Sequence, residues 1–169
     1  MKLHYKWFKR LKALFSAKIL NAAETRLKLG LSTDNDYWLF ATPVHLVLQR
    51  DSFSMADMLV LSEIEHESLL NTLNAHFKAD NLLFSQHEST WFLRLKTDPQ
   101  ITTVAPQTLL NRDIQAYLPT GSGAAKWAQL TNEIQMLLFE HPVNMTRENQ
   151  KQLTVNSVWF HGLGQLNND

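Results

Sequence analysis

The sequence contains no cysteine. That excludes a disulfide framework, a thiolate nucleophile and any cysteine-based zinc site, and it fits a cytoplasmic setting. Glycine and proline are scarce, five each in 169 residues, so low-complexity linker tracts are excluded and each is a candidate turn or boundary. No run of about 20 apolar residues occurs, which argues against a membrane-spanning helix. Near the start of the chain Lys and Arg interrupt the apolar residues too often for a signal-peptide core. An excess of one charge is missing too: sixteen basic residues balance sixteen acidic ones, so nothing global favours nucleic acid. What the chain does have is hydrophobic mass. It is 44% hydrophobic with nine Phe and five Trp, enough for one domain with a sizeable core.

The balanced charge hides a local imbalance. Residues 1–30 hold eight Lys and Arg against Glu24 alone, net +7, which leaves −7 for the remainder. Leu3, Trp7, Leu11, Leu14, Phe15 and Leu20 follow roughly helical spacing, with Lys6, Lys9, Arg10 and Lys12 among them. The expectation is a basic amphipathic helix ending near Gly30, then a linker to Asp36. Three roles are open to it: contact with an anionic membrane surface or nucleic acid, packing on its own domain, or a flexible arm.

Residues 37–169 read as a single domain. Val44 to Gln49 is expected as a strand with Pro43 at its start, where a missing donor is tolerated. Met58 to Leu61 is expected to pair with it as a hairpin. Ser62-Glu-Ile-Glu is an N-cap signature for a helix running to about Asp80. Leu82 to Ser85 and Trp91 to Leu95 read as a second hairpin around Gln86 to Ser89. Between Thr108 and Tyr117 the pattern weakens to a short helix or an extended connection. The order describes an α+β fold: a mainly antiparallel sheet of about five strands, with two main helices on one face.

The chemistry-bearing stretch runs from Trp127 to Gly162. Trp127, Leu130, Ile134, Leu137, Leu138 and His141 share one helical face, and Met136 and Phe139 add apolar character elsewhere, so the helix is expected to be central and buried. Pro142 ends it near Glu140 or His141. Asn144 is expected to cap a short second helix over Met145 to Lys151. Val155 to Phe160 reads as a strand carrying an unusual Asn156, which must be hydrogen-bonded if buried. Asn132, Glu133, His141, Asn144, Arg147 and Asn156 are the candidate ligand-binding set. They make either a polar lock joining strand to turn or a small binding pocket. Thr120, Gly121, Ser122 and Gly123 precede the long helix, whose free N–H groups attract anions. That loop lacks the Gly-Lys-Ser/Thr ending of a nucleotide loop, so capping and anion capture are both open. His45, inside a strand, is expected either as a core histidine or as a neighbour of Glu140 and His141.

Several blocks carry a resemblance: Trp38-Leu-Phe-Ala-Thr-Pro-Val-His-Leu, Leu73-Asn-Ala-His-Phe-Lys-Ala-Asp, Asn132-Glu-Ile-Gln-Met-Leu-Leu, Glu140-His-Pro-Val-Asn, Arg147-Glu and Val155-Asn-Ser-Val-Trp-Phe, followed by Gly162 and Gly164. Together, over Tyr37 to Gly164, the chain resembles the RpfE-type regulatory proteins of proteobacteria, which are often described as phosphoglycerate mutase-like. Many of those are longer at the N-terminus, where this chain has its short basic segment. The resemblance implies a non-catalytic regulatory or interaction protein, with a protein partner or a small anionic ligand and no cofactor. The sequence lacks the Arg-His-Gly of the cofactor-dependent mutases and the dense Asp and His clusters of the two-metal kind. It also has no Gly-x-Ser-x-Gly elbow and no His-Glu-x-x-His arrangement. The alternative is an enzyme or degenerate enzyme acting on a phosphorylated metabolite. Glu140 and His141 would then do acid–base work, and Arg147 would hold the anionic group.

Overall fold

The computed structural model describes residues 20–50 and 52–166. A five-stranded antiparallel sheet is built around β1 (Tyr37–Leu48). Its partners are β2 (Phe53–Met58), β4 (Thr90–Leu95) and β5 (Ser157–Gln165), and β3 (Leu83–His87) pairs with β4. The helices are α1 (Ala22–Lys28), α2 (Glu63–His76), α3 (Ala124–Phe139) and α4 (Pro142–Asn149).

Period-two alternation explains which residues meet. Leu39 and Ala41 of β1, Trp91, Leu93 and Leu95 of β4, and Val158 and Phe160 of β5 face one way. They pack with Leu69, Leu70 and Leu73 of α2 and Trp127, Ile134 and Leu138 of α3. The intervening residues face the other way. At one end of that face Trp38 and Phe92 meet Ala22 and Ala23 of α1. At the other end Val44, Leu46, Met55 and Trp159 meet Leu109 and Ile114. Burial on both faces is why Trp38 to Leu46 reads as a mostly apolar run, interrupted by Thr42, Pro43 and His45, instead of a strict alternation.

That run is one strand, longer than the expected Val44 to Gln49, and Pro43 lies inside it. β4 leaves β1 at Phe40 and β2 joins at Val44. The Pro43 carbonyl points to that edge, where it accepts from the Leu59 N–H at 3.0 Å. Pro43 thus lies between the last β1 residue paired with β4 and the first paired with β2, where a missing donor is tolerated. β2 ends where the expected second strand begins. Its position is set by pairing with β1 and by backbone bonds from Asn111 N–H to Met55 O and Ile114 N–H to Phe53 O, not by its own weak pattern. The 108–117 stretch supplies that edge cover, with 3-10 turns at Pro106–Thr108 and Gln115–Tyr117 in place of a helix.

Ser62 caps α2 as expected, and Glu65 returns the reciprocal bond to the Ser62 N–H at 2.7 Å. Residues 1–19 of the expected basic helix lie outside the described residues. α1 carries its own capping box, Asn21 with Glu24, and stops before Gly30, whose φ is +72°. The stretch after it is anchored rather than slack. Arg26 lies 3.6 Å over the Trp38 ring and donates to Ser32 O, while buried Asp36 pairs with Lys96 at 2.9 Å.

Candidate functional site

α3 ends at Phe139 with Glu140 as its C-cap, and the chain turns through His141 into α4. The cap of α4 is His141, not Asn144. The Val143 N–H donates to His141 Nδ1 at 3.2 Å, because Pro142 takes the first helical position and sets the helix start three residues earlier than expected. Nδ1 is thus an acceptor, so the ring proton sits on Nε2, 3.0 Å from Thr72 Oγ1 on α2. Burial pushes the His141 pKa down against a backbone hydrogen bond with Ser68, which keeps the ring neutral.

Asn144, freed from capping, is buried in the first turn of α4. Its amide donates to Leu138 O and Val155 O, each at 2.7 Å, and its carbonyl accepts from Val155 N–H at 2.8 Å. One side chain therefore ties the end of α3 to the approach to β5. Arg147, one turn on, donates from Nε to Leu153 O and from Nη1 to Glu65 Oε1, both at 2.7 Å. Burial raises the Glu65 carboxyl. The Ser62 backbone N–H, the Arg147 guanidinium and the Ser62 hydroxyl outweigh it and hold the group below the ordinary carboxylate range.

Asn156 bonds neither Asn144 nor Arg147. Its carbonyl accepts from Leu46 N–H and its amide donates to Leu46 O, both at 2.7 Å. The side chain thus copies a backbone unit and extends the β5 edge of β1 by one rung. His45 turns to Thr154, with Nδ1 2.8 Å from the carbonyl oxygen, and not to Glu140 or His141.

The expected set therefore divides. His141, Asn144 and Arg147 are brought together and buried, and Asn156 acts on β1 beyond them. Asn132 and Glu140 are solvent-exposed. Glu133 makes a long contact of 3.5 Å with His76, both partly exposed. Lys6, Lys9, Arg10 and Lys12 lie outside the described residues. In the Thr120 to Gly123 loop the Gly123 N–H is taken by Gln100 O at 3.1 Å, and the Thr120 N–H by Thr102 O. A Cβ at Gly121 would meet Gln100 O and one at Gly123 would meet Pro99 O, so these glycines permit close backbone packing. The Ser122 hydroxyl bonds the Gln100 side chain at 2.7 Å.

Sequence reasoning missed Glu65 and Thr72, the α2 partners of Arg147 and His141. Glu65 was visible as a capping residue, but nothing local shows that its second oxygen meets α4. It also missed an open cleft of about 600 Å³, lined by Leu46, Leu48 and Phe53 of the first hairpin, Gln115, Leu118, and Gln135 and Phe139 of α3. Arg50 and Asn156 also border it. Phe139 is 79% exposed there, and Met136 elsewhere on the helix is 77% exposed, against the expectation of a central, buried helix. The missed signal is that Met136 and Phe139 are one turn apart, a separate apolar stripe.

No protein-family model matches the chain. Over 65 residues it is 32% identical to a probable 2,3-bisphosphoglycerate-independent phosphoglycerate mutase of Geobacter sulfurreducens, covering 38% of this chain and 16% of that one. Over 109 residues it is 28% identical to the enzyme of the same name from Methanosarcina mazei, covering 62% and 27%. Among solved structures, the cofactor-independent phosphoglycerate mutase of Thermoplasma acidophilum superposes with a TM-score of 0.58 at 17% identity, over 83% of this chain and 40% of that one. This chain thus spans well under half the length of the proteins it matches. It is distantly similar in sequence to cofactor-independent phosphoglycerate mutases and shares the fold of a part of one of them.

Proposed function

We propose that this chain is a phosphoglycerate mutase-like domain that works by binding, as a regulatory or interaction protein of the RpfE type, without acid–base turnover at Glu140 and His141. The observation that carries the reading is the engagement of His141. Nδ1 caps α4, Nε2 faces Thr72, and the ring is buried. A general acid or base needs a nitrogen free to reach a substrate. Arg147 is likewise committed, since taking a phosphate would mean surrendering a mostly buried pair with Glu65. The open cleft beside Asn156 offers the binding face. It has apolar walls, neutral amides and the Arg50 cation at its border, a composition common to ligand and partner surfaces.

The similarity to mutases favours a second reading, in which the domain handles a phosphorylated three-carbon acid. The two separate in one assay. Purified protein is incubated with 3-phosphoglycerate and the 2-phospho isomer is measured, beside Glu140→Gln. Glu140 is exposed, so this variant keeps its fold. The expected result is no conversion by either protein. Conversion by the unaltered chain that Glu140→Gln abolishes, at unchanged Tm, would overturn the binding-only reading.

A further inference from the structure

We infer that the cleft between the first hairpin and α3 seats a short extended peptide of a partner protein, which pairs with the Leu48 main chain and brings an apolar side chain to Phe139 and a carboxylate to Arg50. The inference rests on the binding-only reading above and names the occupant of that cleft. It starts from the main chain of β1. Asn156 takes both peptide groups of Leu46, on the side where β5 pairs. On the opposite side the Gln49 N–H donates to Ser52 O at 2.8 Å and closes the turn into β2. Successive residues of a strand aim their peptide groups to opposite sides, so Leu48 aims its N–H and C=O where Leu46 does. Phe53, opposite Leu48 in the hairpin, agrees: its carbonyl accepts from the Ile114 N–H, away from β1. β5 pairs with β1 only as far as Val44. Among the described residues no hydrogen bond reaches the Leu48 peptide groups, and Leu48 and Asn156 both border the cleft on that side.

The rest of the cleft sets the chemistry of that occupant. A free N–H and C=O on one edge residue is the pairing a sheet offers to another main chain, and flanking apolar walls then select its side chains. Leu48 is 81% exposed, Phe139 79% and Leu118 40%, so an added segment covers apolar surface that folding leaves open. Arg50, two residues beyond Leu48, is the charged side chain on this border, and no carboxylate pairs with it among the described residues. An unpaired guanidinium at one end of the site selects a carboxylate. Asn156 closes the other end, because with Leu46 already paired an incoming segment cannot run on along β1. Leu46 to Arg50 spans about 13 Å of strand, room for about three residues of the occupant.

The experiment uses the full chain and a bead-bound library of hexapeptides randomised at every position, made once with free carboxyl ends and once with amidated ends. The expected result is enrichment of peptides with an aliphatic or aromatic residue close to a carboxylate. Enrichment in both libraries assigns that group to Asp or Glu, and enrichment in the free-acid library alone assigns it to a chain terminus. The best binder, labelled with fluorescein, is then measured by fluorescence anisotropy. Phe139→Ser should weaken it roughly thirty-fold. Leu48→Pro removes an N–H that the fold does not use, and should weaken it roughly five-fold more than Leu48→Ala, which keeps that N–H. N-methylating the peptide one residue at a time should cost a similar factor at one position, whose N–H meets Leu48 O. Arg50→Gln should cost roughly three-fold at low salt and nothing at high salt. A library that enriches nothing overturns the proposal. So does a binder unaffected by Phe139→Ser, or one that tolerates N-methylation throughout. The binding-only reading fails by a different sign, isomer formed from 3-phosphoglycerate. An empty library beside a blank isomer assay therefore removes the peptide and leaves that reading standing.

Discussion

Two assemblies lie on either side of Asn156 and treat their side chains in opposite ways. The seam between α2, α4 and the start of β5 is polar, buried and satisfied. His141, Asn144, Arg147 and Glu65 spend their donors and acceptors on one another's elements. The cleft between the first hairpin and α3 is apolar at its rim and uncovered, with Leu48 81% exposed and Phe139 79% exposed. The residues that look reactive in the sequence hold the fold together, while residues that look like core stand in solvent. Polarity marks a reactive site only when some bonding capacity is left over; apolarity marks core only when something covers it.

The comparison can be broken most directly at Asn144. Asn144→Ala leaves both polar groups of Val155 unpaired in a buried setting and removes one of the bonds to Leu138 O, which keeps the His141 N–H. The expected loss is about 3 kcal/mol, or roughly 10 °C in Tm, read by calorimetry. A near-neutral result would mean that the seam is not a structural lock.

A comparable effect should follow from pH. Burial lowers the pKa of His66, His141 and His161, in the last case to about 4, where the ring stacks on Phe40. In each the folded value lies below the unfolded one, so the unfolded chain binds protons first as the solution is acidified. The stabilisation is complete above about 6.5 and is lost as pH falls toward 4. Glu65 adds to the same slope lower down, since its folded value is also depressed. Denaturant titrations should show stability falling through this window. His161→Phe, which keeps a ring against Phe40, should remove roughly 3 kcal/mol of the stability change between pH 6.5 and 4. An identical slope in the variant would remove His161 from the account.

The smallest stability effect is expected at the cleft. Leu48→Ser with Phe139→Ser should shift stability by less than about 0.5 kcal/mol per site. The same pair should reduce the fluorescence of bound anilinonaphthalene sulfonate, a dye that reports uncovered apolar surface. A large destabilisation would place these side chains in the core after all and erase the contrast.

The local grammar of the chain was legible. Ser62 with Glu65, the stop at Pro142, the second hairpin and the apolar face of α3 are all encoded within a few residues of where they act. The pairings that make the seam were not. Arg147 finds Glu65 across 82 positions and Asn156 finds Leu46 across 110, and no local pattern records such meetings. β2 was misplaced for the same reason, since its register comes from β1 and the 110–114 segment. Asn144 was misread because two plausible caps lay three residues apart, and proline at the first helical position decided for His141.

The Asn156 amide bears on solubility as well as on shape. Where β5 stops pairing, Leu46 would present an N–H and a C=O on an open rung, the kind of site at which a strand from another molecule can add. A side chain that offers one donor and one acceptor at peptide spacing occupies that rung without continuing the strand. Aspartate has no donor to give, and alanine has neither group. At this position the identity of one amide decides whether the sheet is a finished object or a template for its neighbours.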